Sequence, residues 1–318
     1  MKEGKMIHKP VMLERCITLL TPSIERNENP IVVDATMGLG GHSEALLERF
    51  PTLRIIGLDR DLQAISIATK RLERFTERFT IVHAIYDEIP KVLAELGIKG
   101  VDGILFDLGV SSLQLDNEER GFSYSHTAPL DMRMDTSKGI TASEVLMSYS
   151  KDDLTRILRE YGEERFAQRI VGNIIKAREA GNLKTTSDLA ELVKSSIPAP
   201  ARRVGGNPAK RTFQAIRIEV NQELSILERA IPRALDSIRV GGRVVVMSFQ
   251  SLEDKIVKRI FAQASESKSP RDLPVEIESM RAKFQLVFRG SETASEAEII
   301  ENSRAQSVRL RAIERVAS

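Results

Sequence analysis

Ile31-Val32-Val33-Asp34-Ala35-Thr36-Met37-Gly38-Leu39-Gly40-Gly41-His42-Ser43, with Arg54-Ile55-Ile56-Gly57-Leu58-Asp59 shortly after it, decides the fold. The first six residues are a short apolar run rich in β-branched side chains, which predicts a buried strand. Gly38, Gly40 and Gly41 let the backbone turn tightly and come close to a ligand. Ser43 is expected to cap a helix over 44–49, and the next apolar run ends in Asp59. Strand, glycine loop, helix, strand and acid form a half-fold that binds an adenosine nucleoside at the carboxyl edge of a parallel sheet. The acid accepts hydrogen bonds from ribose hydroxyls. The spacing here is G-x-G-G rather than the G-x-G-x-x-G of dinucleotide sites, and Asp34 stands just before the loop. A carboxylate there suits a cationic ligand, such as the amino group of S-adenosylmethionine, better than a pyrophosphate. The residues therefore favour a methyltransferase over a nucleotide-dependent oxidoreductase, and over a glycine loop that is only a turn.

Whole-chain properties narrow the class further. The 318 residues fit one large or two ordinary domains, and 42% hydrophobic content supports a proper core. A net charge of +2 means that nucleic-acid affinity must come from local clusters. The single cysteine, Cys16, excludes an internal disulfide and fits a reducing, cytoplasmic setting. His8, His42, His83 and His126 form no Cys/His cluster, so no metal site is expected. No run has membrane-spanning length and no signal peptide is evident, so no membrane partner is expected.

Along the chain, a short amphipathic helix over 13–20 is expected to stop at Pro22. Asp61 caps a second helix, and a third strand over 80–85 ends at Tyr86. Tyr86 reads equally as an adenine-stacking aromatic or as an ordinary strand-end tyrosine. The fourth strand, Val101 to Asp107, delivers Asp107 to the same sheet edge as Asp34 and the loop. Residues 117–139 then lack any period, and their methionines argue for an ordered loop. Helices fill 141–197, with a capping box at Thr141 and Glu144 and a cap at Ser150. A basic stretch follows with Arg202, Arg203, Lys210, Arg211 and Arg217 and no acid between 199 and 217, a candidate RNA surface. Phe213, Ile216, Val220, Leu224, Leu227 and Ile231 predict one long helix that Pro232 kinks or ends. A fifth strand over 243–249 precedes a helix capped by Ser251, and 284–288 with 307–315 read as a closing strand pair. The expected organisation is an α/β sheet with an inserted helical domain: 1–112 and 211–318 for the sheet, 113–210 for the insertion.

Taken together, His8-Lys9-Pro10-Val11-Met12-Leu13-Glu14, Asp34 to Ser43, Asp107-Leu108-Gly109-Val110-Ser111-Ser112 and Leu130-Asp131-Met132-Arg133-Met134-Asp135 resemble one family. Arg211-Thr212-Phe213-Gln214-Ala215 and Ser248-Phe249-Gln250-Ser251-Leu252-Glu253-Asp254 complete the likeness. It is the bacterial ribosomal RNA small-subunit methyltransferase H (MraW) family, and the resemblance runs almost end to end. It implies a class I S-adenosylmethionine-dependent methyltransferase (Rossmann-like) sheet with an inserted all-helical domain for substrate recognition. It implies methylation of the exocyclic N(4) amine of a cytidine in the decoding region of 16S rRNA, with the small ribosomal subunit as the setting. By position, Gly40, Gly41 and His42 would hold the cofactor with Gly38 and Asp34. Asp59 would hold the ribose, Tyr86 would flank the adenine, and Asp107 and Gln114 would close the methionine side. Gln250 stands where the family commonly has histidine, and Asn302-Ser303-Arg304 lacks a usual proline, with Gln306 in place of a common arginine.

A cytosine amine is a poor nucleophile, so it must be held in line with the sulfonium methyl while something accepts a hydrogen bond from it. The Asp/Asn-Pro-Pro-aromatic turn of DNA amino methyltransferases is absent after strand four. Candidate acceptors are Asp107, Ser111 or Ser112, Asp131, and a backbone carbonyl. An extended loop would put Asp131, Arg133 and Asp135 on one side, either as a structural ion pair or as a wall of the base pocket. A non-catalytic RNA-binding protein is a further alternative, disfavoured because Asp34, Asp59 and Asp107 all stand. The residues do not fix the oligomeric state, a homodimer included.

Overall fold

Short runs of aliphatic and β-branched residues build one seven-stranded sheet. The strands are β1 (Ile31–Asp34), β2 (Arg54–Asp59), β3 (Phe79–His83), β4 (Val101–Asp107), β5 (Ile238–Ser248), β6 (Phe284–Leu286) and β7 (Arg309–Arg315). Their order is β3-β2-β1-β4-β5-β7-β6. From β3 to β5 all neighbours are parallel, and β7 runs antiparallel to both β5 and β6. The computed structural model describes residues 10–202, 206–267, 269 and 280–318. It divides into two compact units, Met1–Gly109 with Leu224–Ser318, and Val110–Glu223.

Alternation along the strands sends successive side chains to opposite faces. On one face Val33, Ile104, Phe106, Val244 and Val246 pack with Leu227 and Ile231 of the helix Glu223–Ser237 and Phe261 of the helix Ser251–Ala264. On the other, Val32, Leu105, Val245 and Met247 pack with Cys16 and Leu20 of the helix Leu13–Ile24 and with Leu46 and Leu47. Both faces are covered, which is why the central strands read as unbroken apolar runs. β1 has β2 on one side and β4 on the other. This is the switch point of a doubly wound sheet, where a crevice opens beyond the strand ends. The arrangement is the class I methyltransferase sheet. Among the described residues no helix is long and apolar enough to cross a membrane.

The second unit is helical: Ala142–Ser148, Lys151–Glu160, Ala167–Glu179, Thr186–Ser196 and Lys210–Asn221. Leu154, Ile157, Leu158, Ile170, Ile174, Leu189, Val193, Phe213 and Ile216 form its core. The caps at Thr141 and Ser150 stand as expected: Thr141 Oγ1 accepts from Glu144 N at 3.1 Å and Ser150 Oγ accepts from Asp153 N at 3.1 Å. The irregular stretch before these helices is ordered from within. Phe122, Leu130, Met132 and Met134 are buried, and the Asn221 amide bridges Met132 O and Met134 N at 2.7 Å each.

Several expectations change. The first helix continues through Pro22 to Ile24, because burial of Ser23 and Ile24 extends its apolar face past the missing N–H. The helix Glu223–Ser237 likewise contains Pro232, while Ile231, Ala234 and Leu235 stay buried. The single helix expected after residue 211 is two, broken at Gln222, which adopts a left-handed φ of 52°. Residues 210–221 thus join the helical core through Phe213, Ile216 and Val220, and the helical unit extends to Glu223 rather than ending at 210. The first helix of the core unit starts at Gly41 with Gly40 as its cap, so Ser43 lies inside it. Most of 265–281 and His8 with Lys9 lie outside the described residues.

Phe106 is fully buried in β4, so truncating it removes a large core side chain. Phe106→Ala should therefore lower stability by about 3–5 kcal/mol, read as a reduced urea midpoint.

Candidate active site

The glycine loop is pinned to three strands at the switch point. Ala35 N donates to Leu105 O of β4 and Met37 N to Leu58 O of β2, each at 2.9 Å. Thr36 Oγ1 accepts from Asp107 N at 2.6 Å, which joins the ends of β1 and β4. Asp59 closes the other side: its Oδ2 accepts from Gly38 N at 2.7 Å and its Oδ1 from Asp61 N at 2.8 Å. Gly40 has φ 76°, a left-handed conformation that a side chain would strain. A Cβ on Gly41 would lie 2.5 Å from Pro10 Cγ, so the arriving N-terminal segment needs glycine there.

Two acids dominate the electrostatics. Asp34 is 2% exposed and accepts a hydrogen bond from Ser43 Oγ at 2.6 Å. Burial drives its pKa up to about 6, against the pull of Ser43 and of the Thr36 backbone. Asp107, at the β4 end, is pushed up to about 7 by burial and by the nearby charges of Asp34 and Glu253. Its side chain keeps 30% of its surface open toward the crevice. Among the described residues neither acid pairs with a lysine or arginine. Glu253 is buried beside them, and its Oε2 accepts from Phe249 N at 2.9 Å and Gln250 N at 3.1 Å.

His42 faces Asp107 with Nδ1 3.8 Å from Oδ2. Burial lowers its pKa to about 4, so the ring is neutral at pH 7 and makes no ion pair. Val11 O, 3.1 Å from Nε2, can only accept, so Nε2 carries the proton and Nδ1 presents a lone pair. Tyr86 opens a 3-10 turn after β3, half-buried, with its ring edge-on to Phe106 at 5.7 Å between centroids. The sheet edge thus brings together Asp34, Gly38, Gly40, Gly41, His42, Asp59 and Asp107, with Tyr86 beside the residue preceding Asp107.

Known proteins bear the same pattern over the same length. The MraW methylase family matches residues 5–316. The chain belongs to this family. It is a methyltransferase. It is 54% identical over 313 residues to the ribosomal RNA small subunit methyltransferase H of Pseudarthrobacter chlorophenolicus, covering 97% of this chain and 95% of that protein. It is 56% identical over 311 residues to the protein of that name from Parafrankia sp., with 98% and 95% covered. The protein of that name from Saccharopolyspora erythraea is 55% identical over 309 residues, with 97% and 93% covered.

Other residues of this methyltransferase expected at a site belong to the helical unit, and there most are engaged in structural bonds. Asp131 was a candidate acceptor for the substrate amine, but its carboxylate is taken. Oδ1 accepts from Arg133 N and Nε at 3.0 and 2.8 Å, and Oδ2 from Arg133 Nη2 at 2.8 Å. Met132 has φ 59°, so the loop is not extended and Asp135 turns instead to Ser137 and Lys138. Gln114 accepts from Ser111 N through Oε1 at 3.1 Å and completes a capping box, which commits its carbonyl oxygen to the helix Ser112–Asp116. The Arg217 guanidinium, expected at the RNA surface, makes two bonds to Glu223 at 2.8 and 2.9 Å, across the break at Gln222. Arg202 Nε donates to Ile197 O at 2.6 Å, beyond the end of a helix, while Lys210 and Arg211 are exposed in the first turn of the last helix. Arg203 lies outside the described residues.

Sequence reasoning missed Thr36, Ser43 and Glu253 as parts of the edge. The Ser43 spacing, nine residues after Asp34, carries no periodic signal, because the turn between them sets the contact. The Arg217 and Glu223 side chains are 15% and 6% exposed. Removing one partner strands a buried charge, so Arg217→Ala should lower stability by about 3 kcal/mol. Lys210→Ala should change it by less than about 0.5 kcal/mol. Thermal unfolding of the two variants distinguishes the strut from an exposed cation.

Proposed function

We propose that the enzyme transfers a methyl group from S-adenosylmethionine to the exocyclic N(4) amine of a cytidine in the decoding region of 16S rRNA. It would act in the cytoplasm, on the small ribosomal subunit. The observation that carries the reading is a buried carboxyl, Asp34, and a part-buried one, Asp107, standing without a cation among the described residues at the switch point beside a glycine loop. Those carboxyls fit a ligand with a cationic end, and the names of the relatives point to ribosomal RNA of the small subunit. S-adenosylmethionine, when bound, supplies an electrophilic methyl group on a sulfonium sulfur.

The residues divide the work. Asp59, already fixed by Gly38 N and Asp61 N, has lone pairs left for ribose hydroxyls. Tyr86 supplies an apolar ring for the adenine side. Gly40 and Gly41 keep the loop backbone low, and His42 offers a neutral acceptor at Nδ1. Asp34 and Asp107 hold the cationic end. Transfer of that methyl would form the N–CH3 bond at the expense of the S–CH3 bond, leave the electron pair on sulfur and make the amine acidic. Asp107 Oδ2, with a pKa near neutrality and partly open to the crevice, takes its proton. The target base must leave its stack to reach such an edge. Lys210 and Arg211, exposed on the helical unit, and Arg202 and Arg203 before them, provide phosphate contacts.

The direct test is mass mapping of nucleosides after unmethylated small subunits are incubated with labelled S-adenosylmethionine. N(4)-methylcytidine is the expected product. Label in another nucleoside, or none, overturns the reading.

The two acids also set a pH dependence. Their folded pKa values, about 6 and about 7, lie above the unfolded value of 3.8, so the ligand-free fold holds extra protons in between. The stability this gives is complete below the unfolded value and is lost as pH rises through the folded values. A cationic ligand meets two carboxylates only at the upper end. Affinity for S-adenosylmethionine should therefore rise from about pH 5.5 to about pH 8, and that for S-adenosylhomocysteine, which lacks the sulfonium charge, should rise less. Equal, flat profiles in calorimetry would remove the acid pair from the donor site.

A further inference from the structure

Beyond the end of β5 the chain makes a turn that the donor site does not use. Ser248 is 1% exposed, and its Oγ has no hydrogen-bond partner among the described residues. Two residues on, Gln250 Oε1 is likewise buried and without a partner. An unmet buried acceptor is costly, and natural proteins keep few of them without a use. Gln250 as a whole is only half-buried, at the cap of the helix Ser251–Ala264.

The turn lies against the reacting edge. Met247 is in register with Asp107, Leu108 N donates to Met247 O at 3.0 Å, and a Cβ on Gly109 would sit 3.9 Å from Phe249. Glu253 holds the backbone of Phe249 and Gln250 by accepting from both amides, so the Gln250 side chain leaves from a fixed point. The surroundings choose the ligand. Asp34, Asp107 and Glu253 make this edge a poor place for a phosphate and a good one for N–H donors.

We propose that Gln250, turning its Oε1 outward from this fixed turn, accepts a hydrogen bond from the amino group of the target base and so positions that amine beside Asp107. The proposal rests on the reading of the enzyme as an amine methyltransferase.

The test is Gln250→Met, which keeps length and removes both polar atoms. Methyl transfer to unmethylated small subunits should fall roughly 10- to 100-fold in kcat, the equivalent of one hydrogen bond to a buried polar group. The Kd for S-adenosylhomocysteine should stay within about twofold, and Tm should hold or rise, because a buried unpaired acceptor is gone. Wild-type kcat overturns the proposal. A weaker Kd for S-adenosylhomocysteine also overturns it, by assigning Gln250 to the donor. So does a lower Tm with a proportional loss of activity, which marks a structural role. If Gln250→Met does not fold, Gln250→Asn, which keeps the amide but shortens its reach, is judged by the same split between kcat and Kd. Wild-type protein that binds S-adenosylhomocysteine but methylates no amine would instead sink the functional reading itself.

Discussion

Carboxylates buried without a counter-cation are the constraint that the sheet edge is built around. Elsewhere in the same unit several acids are paired with guanidinium groups. Asp102, 1% exposed, accepts from Arg239 Nη1 and Ile31 N at 2.8 Å each. Arg311 makes two bonds to Asp254, and Arg243 two to Glu314. At Asp34 the protein supplies the Ser43 hydroxyl and the Thr36 backbone N–H, and at Asp107 a neutral imidazole 3.8 Å away. An unpaired buried charge costs several kcal/mol, so both carboxyls take up protons more readily than an exposed aspartate, and a bound cation would favour their ionised forms. The loop geometry follows from the same need. Thr36 ties β1 to β4, Asp59 ties Gly38 to β2, and Gly40 and Gly41 let the loop pack closely against Leu72 and Pro10.

That edge was legible in the sequence because it depends on short-range features. Glycine spacing, strand-end acids and the apolar runs that place them all fall within a few residues of one another. Asp34, Asp59 and Asp107 could be put on one edge by knowing only that parallel strands end together. What the sequence did not carry were contacts set by backbone geometry rather than period. Ser43 reads as a helix cap, yet the cap stands three residues earlier at Gly40 and the helix starts at Gly41, which turns the hydroxyl onto Asp34. Gln222 gives no local sign of the left-handed φ that splits one periodic run into two helices. The apolar pattern continues across it because each half has its own core to face.

The helical unit shows why charged residues mislead when read by type. Arg133 and Asp131 are two positions apart, and the left-handed backbone at Met132 closes them into a ring of three hydrogen bonds. Arg217 and Glu223 meet across the break at Gln222, so the basic character of the stretch is partly spent inside the fold. Such pairs contribute more to holding a loop or a helix break in one conformation than to net stability. They leave Lys210 and Arg211, which sequence alone could not separate from Arg217, as the exposed cations of that helix.

The two kinds of charge site therefore answer to different physics. A paired guanidinium and carboxylate are satisfied in the absence of any ligand, and removing either partner weakens the fold. An unpaired acid at a strand end is least content in the ligand-free protein, and removing it should relieve the fold while harming whatever it holds. Gln250 Oε1 belongs with the second kind: it too is buried, polar and unmet among the described residues, two residues beyond the end of β5, whose Met247 is in register with Asp107. Local dissatisfaction concentrated at one edge is the physical mark of a surface shaped for something other than itself.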